Sequence, residues 1–265
     1  MQPFRLCPPE RLRNLRGVLT DIDDTLTSGG AIAPAALSAL QALSDAGVPV
    51  IAITGRSSGW SEPFALAWPL LAIVAENGAV MLRRDAKGLL RREFSQADEQ
   101  LRHANFERLQ VCAAAVLRRV PGARLAADSA GRLTDIAIDH SEFAHLDAAQ
   151  IAATCAVMRE HGLVATVSSI HINGWIGEHN KWTAAAWAVP ALLGESFDAQ
   201  RWLYIGDSAN DQLLFERMPL TVGVANIARW APQLRHLPSY VTQAERGDGF
   251  AELARAVLHA RASKC

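Results

Sequence analysis

Apolar and polar positions follow two different rhythms along this chain. In the first third, the short apolar runs "GVLTDI", "VPVIAITGR" and "LAIVAENGAVML" flank a helical pattern, "APAALSALQALSDAG", whose stop is Gly47. Continuous apolar runs of strand length belong to strands covered on both faces, and strands spaced by helices pair in parallel through right-handed crossovers. Asn77-Gly78 marks a turn inside the third run. The pattern predicts an α/β protein with a doubly wound parallel sheet.

From about residue 83 to 178 the texture changes. A helix in "SQADEQLRHANFERLQVCAAAVLRRV" precedes the alternating stretch "GRLTDIAIDH", and a second helix in "DAAQIAATCAVMREHG" precedes the alternating run "VATVSSIHINGW". Period-two alternation predicts strands buried on one face, as in an antiparallel sheet with helices on its other side. The first texture then returns: "KWTAAAWAVPALLG" as helix, "RWLYIGDSAND" as strand and polar loop, "DQLLFERM" as short helix, "LTVGVAN" as strand, and "GDGFAELARAVLHARA" as closing helix. The expected organisation is a core from residues 1–82 and 179–265, interrupted by an α+β insert at 83–178.

Composition narrows the function. The 265 residues are half apolar, with 26 basic and 27 acidic side chains and a formal charge of -1. That balance gives no electrostatic footprint for nucleic acid or an anionic membrane, so attraction for an anionic substrate has to be local. The start, "MQPFRLCPPERLRNLRG", lacks the apolar core of a signal peptide, and no later run is long enough to span a bilayer. A cytoplasmic protein is expected. Cys7, Cys112, Cys155 and Cys265 lack C-x-x-C spacing, which suggests neither a zinc site nor a disulfide framework. Cys112 and Cys155 read as small core residues. Trp60 and Trp68 read as packing residues rather than a partner surface.

The densest chemistry lies in "TDIDDTL", where Asp21, Asp23 and Asp24 crowd behind an apolar run. A solvated turn is one reading. A calcium loop fails, because Leu26 and Ile32 stand where the EF-hand pattern needs Gly and Glu. The third reading is a metal-assisted site at the carboxyl end of a strand, where open α/β sheets bind ligands. Three further polar signatures follow predicted strands or open a helix: Thr54-Gly55-Arg56, Lys181, and the loop from Gly206 to Asp211. Each alone is weak; one reaction uses all of them at one sheet edge.

The order and content of these signatures resemble the haloacid dehalogenase superfamily of phosphohydrolases, and within it subfamily IIB, the Cof-like and sugar-phosphate phosphatase branch with a C2-type cap. D-x-D-x-T at 21–25, T-G-R at 54–56, Lys181 and G-D-x-x-N-D at 206–211 carry the resemblance, with "AENGA" and "VGVAN" as linking segments. It implies a Rossmann-like core and a cap inserted between the second and third motifs. It also implies Asp21 as the nucleophile that takes the phosphoryl group, and Asp23 as the acid and base. Mg2+ is the implied cofactor, held by Asp21, Asp207 and the backbone carbonyl of Asp23, with Asp211 supporting the shell. Thr54, Gly55, Arg56, Lys181 and Asn210 are the expected phosphate-binding residues. Asp24, where the family often has Gly, is expected to serve local hydrogen bonding.

Selectivity is then expected from the insert. Asp135, Asp139, His140, Ser168, Ser169, His171 and Asn173 sit on its alternating strands, and Glu178, His179 and Asn180 sit beside Lys181. This inventory favours a small sugar or polyol phosphate over a nucleotide as partner. Two rivals keep the fold: a sugar phosphomutase of the phosphomannomutase kind, and a non-catalytic regulatory protein. A mutase needs several cap cations for a second phosphate, whereas only Arg124 and Arg132 lie near the strands.

Overall fold

A computed structural model describes residues 1–262; Cys265 lies outside them, and Cys7, Cys112 and Cys155 are buried free thiols. The main sheet has nine strands in the order Gln2–Pro3, Tyr240–Val241, Thr221–Gly223, Trp202–Gly206, Gly17–Thr20, Val50–Ile53, Ala72–Ala75, Val80–Arg84, Leu90–Phe94. All neighbours are parallel up to Ala72–Ala75, and the last two strands join antiparallel.

The apolar runs are continuous because the strands are sandwiched. Val18, Val50, Ala52, Leu203 and Ile205 face one core, which includes Leu40 and Leu43 of the helix Pro34–Asp45 and Phe250 and Leu253 of the helix Arg246–Ala262. Leu19, Ile51, Ile53, Trp202 and Tyr204 face the other, with Ala184, Ala185 and Ala188 of the helix Lys181–Leu193. Gly17 permits a close strand approach. A Cβ there would lie 2.5 Å from the Trp202 ring and 2.7 Å from the carbonyl of Pro49, so a side chain has no room.

A second, antiparallel sheet orders Val164–Val167, His171–Trp175, Asp135–Asp139 and Arg124–Leu125. Two helices pack on it, Glu99–Arg119 capped by Asp98 and Ala148–Glu160 opened by an Asp147–Gln150 capping box. Ile136, Ile138 and Ile172 meet Leu109, Val116 and Met158 in this lobe's own core.

Two sequence expectations change here. The strand at 90–94 and the last two residues of that at 80–84, which fall in the expected insert, hydrogen-bond into the main sheet, because the Asn77-Gly78 turn folds the chain straight back on Ala72–Ala75. Moreover, Asp135–Asp139 and His171–Trp175 are buried at every position rather than on one face. Their polar face does not meet water; it packs against the core domain's sheet edge. The run "VATVSSIHINGW" is also two strands, turned at Ser168. Trp68 is 4% exposed and packs in the core, and Trp60 is half-buried beneath the Arg56 guanidinium, 4.7 Å from its ring centre.

Candidate active site

The central strand Gly17–Thr20 ends on Asp21, whose backbone N–H donates to the carbonyl of Ile205 on the adjacent strand. Strand Trp202–Gly206 delivers Asp207 at the same edge, and the helix Lys181–Leu193, capped by Asn180, delivers Lys181 at its first residue. Asp21, Asp207 and Asp211 are all buried, with carboxylate oxygens within 4.8 Å of one another. Lys181 Nζ lies 2.8 Å from Asp21 and 2.6 Å from Asp211.

Lys181 thus bridges two of the three buried carboxylates. Asp21 and Asp211 hold Lys181 charged against the pull of burial and raise its pKa. Burial still pushes Asp21 up to about 7, against the opposing charge of Lys181. Asp207 is pushed well above the usual carboxylate range by burial and by the charges of Asp21 and Asp211. Its Oδ2 accepts from Asn226 and Arg229, both at 3.1 Å, whereas its Oδ1 is buried without a hydrogen-bond partner. An all-oxygen donor set, in carboxylate excess and with one oxygen unpaired, fits a hard divalent cation. Asp211 is placed differently. Its Oδ1 takes Lys181 and the Tyr204 hydroxyl, and its Oδ2 takes the N–H groups of Asp207 and Ser208. Both oxygens are spent on orienting the other members.

The Asp23 side chain turns away from this cluster to Arg56. Arg56 Nε lies 3.0 Å from each Asp23 oxygen. Burial raises the Asp23 pKa, with Arg56 opposing it. Thr54 is fully buried, its hydroxyl accepting from the Arg56 N–H at 3.1 Å. The Gly55 carbonyl accepts from Arg132 and Asn173 of the four-stranded lobe, each at 3.1 Å. Asn210 accepts from the Ser208 hydroxyl at 2.9 Å and shares with Lys181, Asn77, Trp175 and His179 the wall of a cavity of about 310 Å3.

The insert's candidate residues divide. Asn173 joins Asp135 and the core's Gly55, so it faces the core domain, and His171 meets Glu142 at 3.0 Å. Asp139 instead caps its own loop, accepting from the N–H groups of Ser141, Glu142, Phe143 and Ala144, and His140 and Ser168 bond within the lobe's loops. Asn180 caps the helix of Lys181, and Glu178 is exposed. Burial drives His179 down to about 4, so its ring is neutral at physiological pH.

Several site residues carried no sequence signal of their own. Glu142, Asn226, Arg229 and Glu76 act through partners distant in sequence, and Tyr204 through Asp211 seven positions on. For Asn226 the only hint was its place in "VGVAN". Arg229 and Arg246 hold the Asp24 carboxylate, each at 2.9 Å, which specifies the local bonding expected of Asp24.

A parallel sheet with acidic groups converging on one lysine at its carboxyl edge gives a doubly wound core whose site suits metal-assisted chemistry on an anionic group. A family model described as haloacid dehalogenase-like hydrolase matches residues 18–118. Two curated relatives are called phosphoglycolate phosphatase. The one from Methanothermobacter thermautotrophicus is 28% identical over 91% of this chain and 98% of its own length, and the one from Methanosarcina mazei 27% identical over 89% and 94%. Among solved structures, a Thermoplasma acidophilum protein shares the fold with a TM-score of 0.69 at 17% identity, covering 92% of this chain and 98% of that one. The sucrose-phosphatase of Synechocystis, solved with sucrose and phosphate, gives 0.64 at 18%, covering 92% and 98%. These likenesses support a phosphatase of the haloacid dehalogenase-like kind. No helix among the described residues is long and apolar enough to cross a membrane.

Proposed function

We propose that this phosphatase hydrolyses a small phosphate monoester, a sugar or polyol phosphate, with magnesium and through an aspartyl-phosphate. The observation that carries the reading is Lys181 bound at 2.8 Å to Asp21 and 2.6 Å to Asp211 beside the unpartnered Oδ1 of Asp207. Asp21 attacks phosphorus, forming an Asp–O–P bond as the bond to the leaving oxygen breaks, and Asp23 gives that oxygen its proton. Asp23 then takes a proton from water as the water's oxygen displaces the Asp21 carboxylate, releasing inorganic phosphate. The Thr54 hydroxyl, the Gly55 N–H and Lys181 hold the phosphoryl oxygens, with Arg56 and Asn210 at the rim.

Asp21, Asp207 and the Asp23 carbonyl would hold Mg2+, with Asp211 steadying them through the Asp207 N–H. The bound ion would neutralise charge on the transferring group. The residues at 1–82 and 179–265 form the hydrolase core in this reading, and the lobe between them is the substrate-reading cap, with the main-sheet strands up to Phe94 reassigned to the core.

The mutase reading loses one of its two candidate cations. Arg132 is buried and spent on Asp128, Asp135 and the Gly55 carbonyl, so it is not free for a second phosphate. A carboxylate-bearing ester is the second substrate reading, raised by the names of the curated relatives. The deciding experiment measures phosphate release from sugar, polyol, aryl and carboxylate-bearing phosphates with and without MgCl2. Magnesium-dependent release that Asp21→Asn abolishes is the expected result; no release from any ester sinks the proposal.

A further inference from the structure

Asp24 is the one carboxylate of its trio with no part in the proposed reaction, and its surroundings give it another. It takes a left-handed backbone, φ 53°, directly after Asp23, a conformation open to Gly and tolerated by Asp. Its carboxylate accepts from Arg229 and Arg246, and its carbonyl accepts from Asn226 at 3.0 Å. The Asp24 side chain is 15% exposed beneath guanidiniums that are 43% and 38% exposed. Asp24, Arg229 and Arg246 line a cleft of about 390 Å3 that also reaches Asp23, Arg56 and Glu142. The tight Gly29-Gly30 turn forms one rim.

Every cation in this cleft already has an acid. Arg56 is held by Asp23 and Glu142, Arg229 by Asp24 and Asp207, and Arg246 by Asp24. A leaving group that takes its proton from Asp23 departs into this same space. We infer that Asp24 is an internal anion that occupies Arg229 and Arg246, selecting esters whose leaving group is uncharged and rejecting those that carry a second anion. The inference rests on the phosphatase reading with Asp23 as proton donor. An entering carboxylate meets Asp23, Asp24 and Glu142 with no unspent cation, a repulsive element of the kind that sets specificity. Without the Asp24 side chain, Arg246 has no acidic partner among the described residues and can bind a substrate carboxylate by charge-assisted hydrogen bonds.

The test compares kcat/KM for glycerol phosphate, whose leaving group is neutral, with that for phosphoglycolate, in wild type, Asp24→Gly and Asp24→Gly/Arg246→Gln. Glycine suits the left-handed position, so the variant is expected to fold, and a thermal melt checks that it does. Wild type is expected to favour glycerol phosphate. Asp24→Gly should move the ratio about tenfold or more toward phosphoglycolate, and adding Arg246→Gln should reverse that gain. A wild type that prefers phosphoglycolate, or a folded Asp24→Gly whose ratio is unmoved, overturns the inference and leaves the phosphatase reading standing. Release from neither ester, nor from any other phosphate, overturns both.

Discussion

Arg56 of the core and Glu142 of the four-stranded lobe form a two-point ion pair, with Nη2 2.8 Å from Oε1 and Nη1 3.2 Å from Oε2. The same guanidinium holds Asp23, so the position of the lobe reaches the proposed proton donor through one side chain. Arg56→Ala leaves Asp23 buried without its cation. We expect turnover to fall at least about 100-fold and stability to drop by about 3 kcal/mol, measured by steady-state phosphate release and by urea unfolding. Arg56→Lys should recover only part of either, because an ammonium cannot span two carboxylates as a planar fork does.

The Glu142 side chain also gives a pH signature. Burial would raise its pKa, but hydrogen bonds from His171 and Arg56 outweigh that and bring it down to about 2 from 4.5. A carboxylate with a lowered folded-state pKa stabilises fully above its unfolded value, and the contribution disappears as pH falls from about 4.5 to about 2. Melting temperatures of wild type and Glu142→Gln should therefore converge on acidification through that window. A constant gap between them down to pH 2 would show that Glu142 is not the group responsible.

Lys181→Gln removes the cation from between Asp21 and Asp211. Partial protonation of the carboxylates offsets some of the repulsion, and the expected destabilisation is about 3 kcal/mol with loss of turnover. Urea unfolding and steady-state phosphate release measure the two losses.

Magnesium should raise the unfolding temperature, since an ion that binds only the folded state contributes about 2.7 kcal/mol at 100 times its Kd. Asp207→Asn should remove that rise, and a chelator should stop phosphate release. A melt that ignores magnesium in wild type would falsify the proposed ion site.

The sandwiched strands and the four polar signatures were legible because each is a local pattern: an apolar run followed at once by Asp21, Thr54 or Asp207, or a helix opening on Lys181. What escaped the sequence acts across distance. Arg229 and Asp24 are 205 positions apart, Arg56 and Glu142 are 86 apart, and neither neighbourhood announces its partner. Alternation also misled in one respect. It identified the polar face of His171–Trp175 but not its surroundings, since Asn173 reads the same in sequence whether it faces water or the Gly55 carbonyl. The turn at Asn77 was visible from Asn-Gly, yet the use of Glu76 beside it was not.

Glu76 is wholly buried, and its carboxylate accepts from the N–H of Ser58 in the core and from those of Leu133 and Thr134 in the lobe. Asp128 does likewise from the other side, accepting from the Ser57 N–H while gripping Arg132. Donors of both lobes thus share single acids, and neither lobe can lose its order without orphaning charge in the other. Heat or denaturant should accordingly dismantle the molecule in one cooperative transition, the lobe at 124–175 melting with the main sheet instead of ahead of it.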